Sequence, residues 1–79
     1  MKPLTLNDFL TEEQLKICTD LFKSFNESGE SGFAQAVCDQ VITPNLLEIN
    51  EKIGQENNAK YLAYMVEYVL GQAYWSELH

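Results

Sequence analysis

The chain has 79 residues, and its twelve acidic residues against five basic ones give a formal net charge of -7 at pH 7. A chain of this length forms one domain, and a hydrophobic content of 46% is too high for a disordered protein. Because phosphate backbones are held by clustered Lys and Arg, and the sequence has only dispersed lysines and no arginine, the composition argues against nucleic-acid binding.

A short turn and an amphipathic helix are predicted at the amino end. Thr5 is placed to cap the turn. The segment TEEQ at positions 11–14 fits a capping box, in which the first and last side chains bond to each other's backbone amide. Apolar residues then recur every three or four positions, with charged residues between them. The pattern predicts a first helix over residues 12–25.

A glycine- and serine-rich loop at 26–32 precedes a second apolar pattern, which predicts a helix over residues 32–42. Pro44 follows. Because proline lacks a backbone donor and disfavours a helical residue before it, we expect a break or a sharp kink there. A third helix is predicted over residues 44–53, ended by Gly54 as a left-handed cap.

The last third of the chain carries the longest apolar pattern, and Asn57 or Asn58 is placed to cap a helix over residues 59–77. On a helical wheel the apolar residues form two neighbouring stripes, so the apolar arc exceeds the roughly 100° of an ordinary surface helix. The aliphatic stripe contains Leu62, Val66, Val69, Leu70 and Ala73. The aromatic stripe contains Tyr61, Tyr64, Met65, Tyr68 and Trp75. We expect such a helix to be central to the fold or shared with another chain.

These patterns predict an all-α fold in a single helical domain spanning residues 1–79, a small compact bundle of about four helices whose C-terminal helix is longest and central. No segment alternates polar and apolar residues as a strand would. The sequence has no apolar run of the roughly 20 residues that a membrane span needs and no signal-peptide pattern, so we expect a cytoplasmic protein. Cys18 and Cys38 fit buried thiols, and the sequence leaves open whether they approach each other.

The sequence does not contain the residue patterns of known metal or catalytic sites. Residues 10–25 resemble the entering helix of EF-hand proteins, but a calcium loop beginning at Asn26 puts Ser31 where glycine is required and Val37 where a bidentate glutamate is required. Two cysteines and the terminal His79 do not supply the four ligands of a usual zinc site, and a terminal histidine is a poor general base. We therefore predict no metal, no cofactor and no catalytic residue.

The aromatic stripe remains as the candidate for function. Aromatic residues at helical spacing are most often core residues, but Tyr and Trp also dominate binding energy at interfaces. We therefore predict a non-enzymatic protein–protein interaction or regulatory module that binds a protein partner through this stripe, as a homodimer, without direct contact to nucleic acid or membrane. One alternative is an acidic inhibitor that mimics nucleic acid towards a nucleic-acid-binding protein. Another is a small ligand-binding protein or enzyme with an unrecognised pocket.

Overall fold

Helices joined by short loops make up the structure, a computed structural model that describes the backbone of residues 5–78 and the side chains of residues 5–74. No strand occurs among the described residues, which confirms the all-α prediction. None of the described helices is long and apolar enough to cross a membrane.

The amino end forms a 3-10 turn, Leu6–Asp8. The turn begins with a capping box between Thr5 and Asp8, in which the Thr5 backbone N–H donates to the Asp8 carboxylate at 2.8 Å. The turn places Phe9 and Leu10 in the core, where they are buried. This segment therefore adds large buried side chains to the core, although the turn itself is only three residues long.

Helix α1 spans Glu12–Ser28 and begins at the predicted capping box. The Gln14 backbone N–H donates to the Thr11 hydroxyl at 3.1 Å, and the Thr11 N–H donates to Gln14 Oε1 at 3.0 Å. The helix continues beyond its predicted end and stops at Gly29, whose φ of 71° lies in the left-handed region that only glycine adopts without steric cost. Local sequence chemistry thus fixes both ends of α1.

The middle of the chain differs from the prediction of two separate helices. Helix α2, Phe33–Val37, continues through a π-helical turn, Cys38–Ile42, and a 3-10 turn, Thr43–Asn45, into helix α3, Leu46–Ile53. Of the break or sharp kink predicted at Pro44, the break is therefore wrong, since the chain is helical throughout residues 33–53. The described residues form three helices, namely α1, this composite segment and a C-terminal helix, rather than the predicted four.

Pro44 is accommodated within the composite segment by a change in hydrogen bonding. A proline in a helix removes one donor and crowds the carbonyl four residues earlier. Here the Thr43 N–H donates to the Cys38 carbonyl five residues back, in the wider π-helical pattern. The Asn45 side-chain amide donates to the Val41 carbonyl at 2.8 Å. These two bonds give the Cys38 and Val41 carbonyls hydrogen-bond partners near Pro44, so the chain remains helical across the proline.

Helix α4, Ala59–Leu78, is the longest continuous α-helix among the described residues and packs against α1, α2 and the π-helical turn. Asn58 caps it as predicted, since its Oδ1 accepts a hydrogen bond from the Lys60 backbone N–H at 2.8 Å. One cluster of buried side chains joins α4 to the other elements. The largest fully buried side chains in it are Phe9, Cys18, Val37, Val41, Ile42, Ile49, Leu62 and Val66.

Candidate protein-binding face

The outward side of α4 carries three exposed tyrosines. Tyr61, Tyr64 and Tyr68 are 57%, 60% and 65% exposed, whereas Leu62 and Val66 on the opposite side of the same helix are fully buried. At 100° per residue the tyrosines share an arc of about 60° directly opposite the core side. The three rings are therefore not core residues of this chain. We call Tyr61, Tyr64 and Tyr68 the tyrosine face.

On the outward side of α4, most of the residues next to the tyrosine face are uncharged. Gln72 lies one turn beyond Tyr68, and its side-chain amide donates to the Tyr68 hydroxyl at 2.8 Å. The nearest charged residues of α4 are Lys60 and Glu67, both exposed. They are seven residues apart, so both lie along the same flank of the helix. Apolar rings with polar hydroxyls, bordered by charge, are the composition of a protein interface.

The predicted aromatic stripe has two further members, Met65 and Trp75. Met65 is half-buried and packs against the core cluster, so it forms the border between core and tyrosine face. The Trp75 backbone belongs to α4, and its side chain lies outside the side chains that the structure describes.

The predicted aliphatic stripe is covered along only part of its length. Val69 is 37% exposed and Ala73 is exposed, so these two members of the stripe lie outside the core. Near this end α4 meets α1, where the Tyr74 ring lies edge-on to Phe22 with a centroid distance of 5.8 Å. Because that contact forms on one side of α4, Val69 remains accessible next to the tyrosine face.

A groove of about 220 Å³ runs beside Tyr64, between α4 and the start of α2. Small residues on both elements leave this space open. Its lining residues are Gly32, Ala34, Gln35, Lys60, Ala63, Tyr64 and Glu67. The sequence patterns missed the contribution of α2, because the pairing of two elements distant in sequence is a tertiary property. The local signal at the start of α2 is that the small residues Gly32, Ala34 and Ala36 alternate with larger ones.

The two thiols lie in the core, away from the tyrosine face. Cys18 is fully buried, Cys38 is 6% exposed, and both are free. Burial raises the pKa of the Cys18 thiol to about 11, which suppresses the nucleophilic thiolate at neutral pH. The Cys38 Sγ lies 3.7 Å from the Thr43 hydroxyl oxygen. In the part of the chain that the structure describes, no three His, Cys, Asp or Glu side chains are grouped to hold a metal ion.

A second exposed apolar side chain, Leu47, lies on α3. It is 84% exposed and borders a cleft of about 670 Å³ that also includes Pro44 and Asn57. Leu47 belongs to the apolar pattern of the sequence, but Ile49 is the residue buried in the core and Leu47 is exposed to solvent. A single exposed leucine is ordinary for a protein surface, whereas three neighbouring aromatic rings are not.

Comparison with known proteins assigns the chain to no family. It matches no protein-family model, no curated protein and no solved structure. The tyrosine face, the groove beside it and the flanking Lys60 and Glu67 are therefore the features from which a function is inferred.

Proposed function

We propose that this protein is a non-enzymatic interaction module that binds a protein partner through the tyrosine face of α4. The observation that supports this proposal is the exposure of Tyr61, Tyr64 and Tyr68, at 57–65%, on a helix whose opposite side is fully buried. Contiguous exposed apolar groups mark interaction sites on soluble proteins. Tyrosine is also one of the residues that contribute most to binding energy at protein interfaces.

The anchoring of α4 favours binding through these rings. Leu62 and Val66 hold the helix in the core, so the tyrosine backbone positions are set before any partner arrives. A ring with only two side-chain torsions loses little conformational entropy when it is covered. Preorganisation of this kind improves affinity because less ordering is needed on binding. The tyrosine side chains are exposed, so their hydroxyls can donate or accept hydrogen bonds across an interface.

We further propose that the module works in the cytoplasm. Cys18 and Cys38 are both buried and free, the state that thiols keep in a reducing compartment.

Site-specific photocrosslinking in the native cells tests the proposed binding face. A photoreactive phenylalanine replaces Tyr68 in one version of the chain and Glu27, an exposed residue of α1, in the control version. We expect an adduct with a defined protein from position 68 and not from position 27. The purified partner should then bind the triple variant Tyr61→Gln, Tyr64→Gln, Tyr68→Gln at least tenfold more weakly than the unmodified chain, since hot-spot residues contribute about 2 kcal/mol or more each.

Two results would refute the proposal. One is an identical set of adducts from positions 68 and 27, which would mean that the tyrosine face has no preferred partner. The other is an unchanged affinity of the triple variant in titration calorimetry, while circular dichroism shows the same helix content as in the unmodified chain.

A further inference from the structure

We infer that the partner is a second copy of this chain, packed with its α4 antiparallel to the first across the tyrosine face. The inference rests on the proposed function, because it names the occupant of the same surface. A two-fold interface uses one surface of both copies, so that surface must be complementary to itself. Charge, residue spacing and shape are each self-complementary at the tyrosine face.

The charges on the flank of the face suit a second copy. Each chain carries a net charge of -7, so most of its surface repels another copy. The tyrosine face itself contains no carboxylate, and its flank carries Lys60 and Glu67, one of each sign. When two α4 helices run antiparallel and cross midway between these residues, Lys60 of each copy lies beside Glu67 of the other. The arrangement forms two equivalent ion pairs and no like-charge pair between these four residues.

The residue spacing along α4 matches that of paired helices. Two α4 helices that cross midway between Lys60 and Glu67 overlap over residues 59–68. Within this stretch Tyr61, Tyr64 and Tyr68 follow each other at intervals of three and four residues. This is the heptad spacing along which two helices pack side by side. In that repeat, Lys60 and Glu67 each come one residue before a seam position, where charged side chains pair between helices and set partner orientation.

The shape of the surface supplies both a projection and a recess. The crossing point lies next to Tyr64, which is 60% exposed and borders the 220 Å³ groove. Gly32, Ala34 and Ala63 keep that groove open because their side chains are small or missing. In the dimer the Tyr64 ring of each copy enters the groove of the other. Projection and recess thus lie side by side on one surface, as a two-fold interface requires.

The size of the contact indicates a weak dimer. An aromatic side chain offers roughly 150–250 Å² of surface, so three rings that are about 60% exposed contribute roughly 300–450 Å² per copy. Two such surfaces bury less than the roughly 1,200 Å² at which stable complexes begin. We therefore expect reversible association with a dissociation constant in the micromolar range or weaker.

Sedimentation equilibrium on the purified full-length chain and a set of charge variants tests the inference, over about 10 µM to about 1 mM where such dimers dissociate. Lys60→Glu and Glu67→Lys should each weaken the dimer about tenfold, because each change turns two ion pairs into two like-charge pairs. The double variant Lys60→Glu, Glu67→Lys should restore the dissociation constant to within about threefold, since both pairs re-form with reversed sign. Lys23→Glu on α1 changes the net charge as Lys60→Glu does and should leave the dimer unchanged.

The inference is wrong if the unmodified chain sediments at 9.0 kDa at every concentration, or if the double variant is weaker than both single variants. Photocrosslinking from position 68 separates its failure from that of the proposed function. An adduct of twice the monomer mass supports the second copy. An adduct with a different protein, together with a monomeric chain, overturns the dimer and leaves the tyrosine face as a binding site. No adduct from position 68 overturns both proposals.

Discussion

The two long helices of this protein differ in their outward sides. α1 presents charged residues to solvent, among them Lys16, Asp20, Lys23 and Glu27, and its inward side is mostly half-buried, with only Cys18 fully covered. α4 has a fully buried inward side over its first half and presents tyrosines outward. Of these two helices, α4 therefore has both the more completely buried inward side and the larger uncovered aromatic surface.

The two helices therefore have different roles in the molecule, and the apolar content of their sequences alone does not distinguish these roles. α1 is an ordinary amphipathic helix, in which one apolar stripe meets the core and the charged side maintains solubility. α4 packs against the core through one side. Its other side exposes aromatic surface that is not buried when the single chain folds. The two helices can be compared directly by matched substitutions.

The largest effect is expected from truncating the inward side of α4. Leu62→Ala removes a fully buried side chain and should lower the free energy of unfolding by about 3 kcal/mol. Leu21→Ala in α1 affects a half-buried position and should cost less than half as much. Urea unfolding followed by far-UV circular dichroism measures both. Equal losses would show that α1 and α4 are held equally firmly.

The pH dependence of stability is the next test, and it concerns the one fully buried side chain of α1. Burial raises the pKa of Cys18 from 9.0 to about 11 in the folded chain. Below pH 9 the thiol is protonated in both states and its contribution to stability is complete. As the pH rises towards 11, the unfolded chain releases the proton first, so this contribution is lost.

Cys18→Ala serves as the control for that measurement, because it retains every other titrating group. The difference in unfolding free energy between the two proteins should be constant below pH 9 and should then shift against the cysteine protein at higher pH. A difference that stays constant up to pH 11 would mean that the thiol titrates with its ordinary pKa.

Helix capping should have a smaller effect, and one of equal size in the two helices. Thr11→Ala removes the acceptor for the Gln14 backbone N–H, and Asn58→Ala removes the acceptor for the Lys60 backbone N–H. Each should cost about 1 kcal/mol. Ser24→Ala, at an exposed site inside α1, is the control and should stay within about 0.5 kcal/mol. A cap variant as stable as this control would contradict the assigned role of that cap.

The smallest effect on monomer stability is expected from the outward sides. Tyr61→Gln, Tyr64→Gln and Tyr68→Gln should each change the unfolding free energy by about 0.5 kcal/mol or less, measured at dilute protein concentration. Replacing Lys16 and Lys23 by Gln in α1 should have a similarly small effect. If the tyrosine variants lost as much stability as Leu62→Ala, the rings would be core residues and not a binding face.

Three helix ends were predictable because their causes are local, whereas α1 continues to Ser28, beyond its predicted end at residue 25. Thr11 with Gln14, Gly54 and Asn58 act within one helical turn, so their roles follow from residue type and spacing alone. The continuity of the chain across Pro44 was not predictable in this way. A proline costs roughly 3 kcal/mol in a regular helix, and that rule favours a break. The burial of Ile42 and Ile49 on either side of it favours one helical path, and this burial depends on the other helices.

The candidate site was predictable only in part. The spacing of the tyrosines along α4 is a sequence property, so the stripe itself could be recognised. Which side of a broadly apolar helix is covered depends on where its neighbours lie, and sequence periodicity does not contain that information. The exposure of Val69 and the groove between Ala34 and Ala63 follow from the same tertiary placement.

The π-helical turn Cys38–Ile42 also bears on how the length of this chain can change during evolution. A π-helical turn holds about one more residue than the α-helical turn it replaces. Removing the exposed Gln40 would convert it to an α-helical turn, but it would also remove the five-residue bond from the Thr43 N–H to the Cys38 carbonyl that accommodates Pro44. Inside α1 or α4 the same deletion would rotate the following residues by about 100° and expose the buried side. Loss of a residue from the composite helix is thus tied to loss of Pro44, and we expect the two changes to occur together.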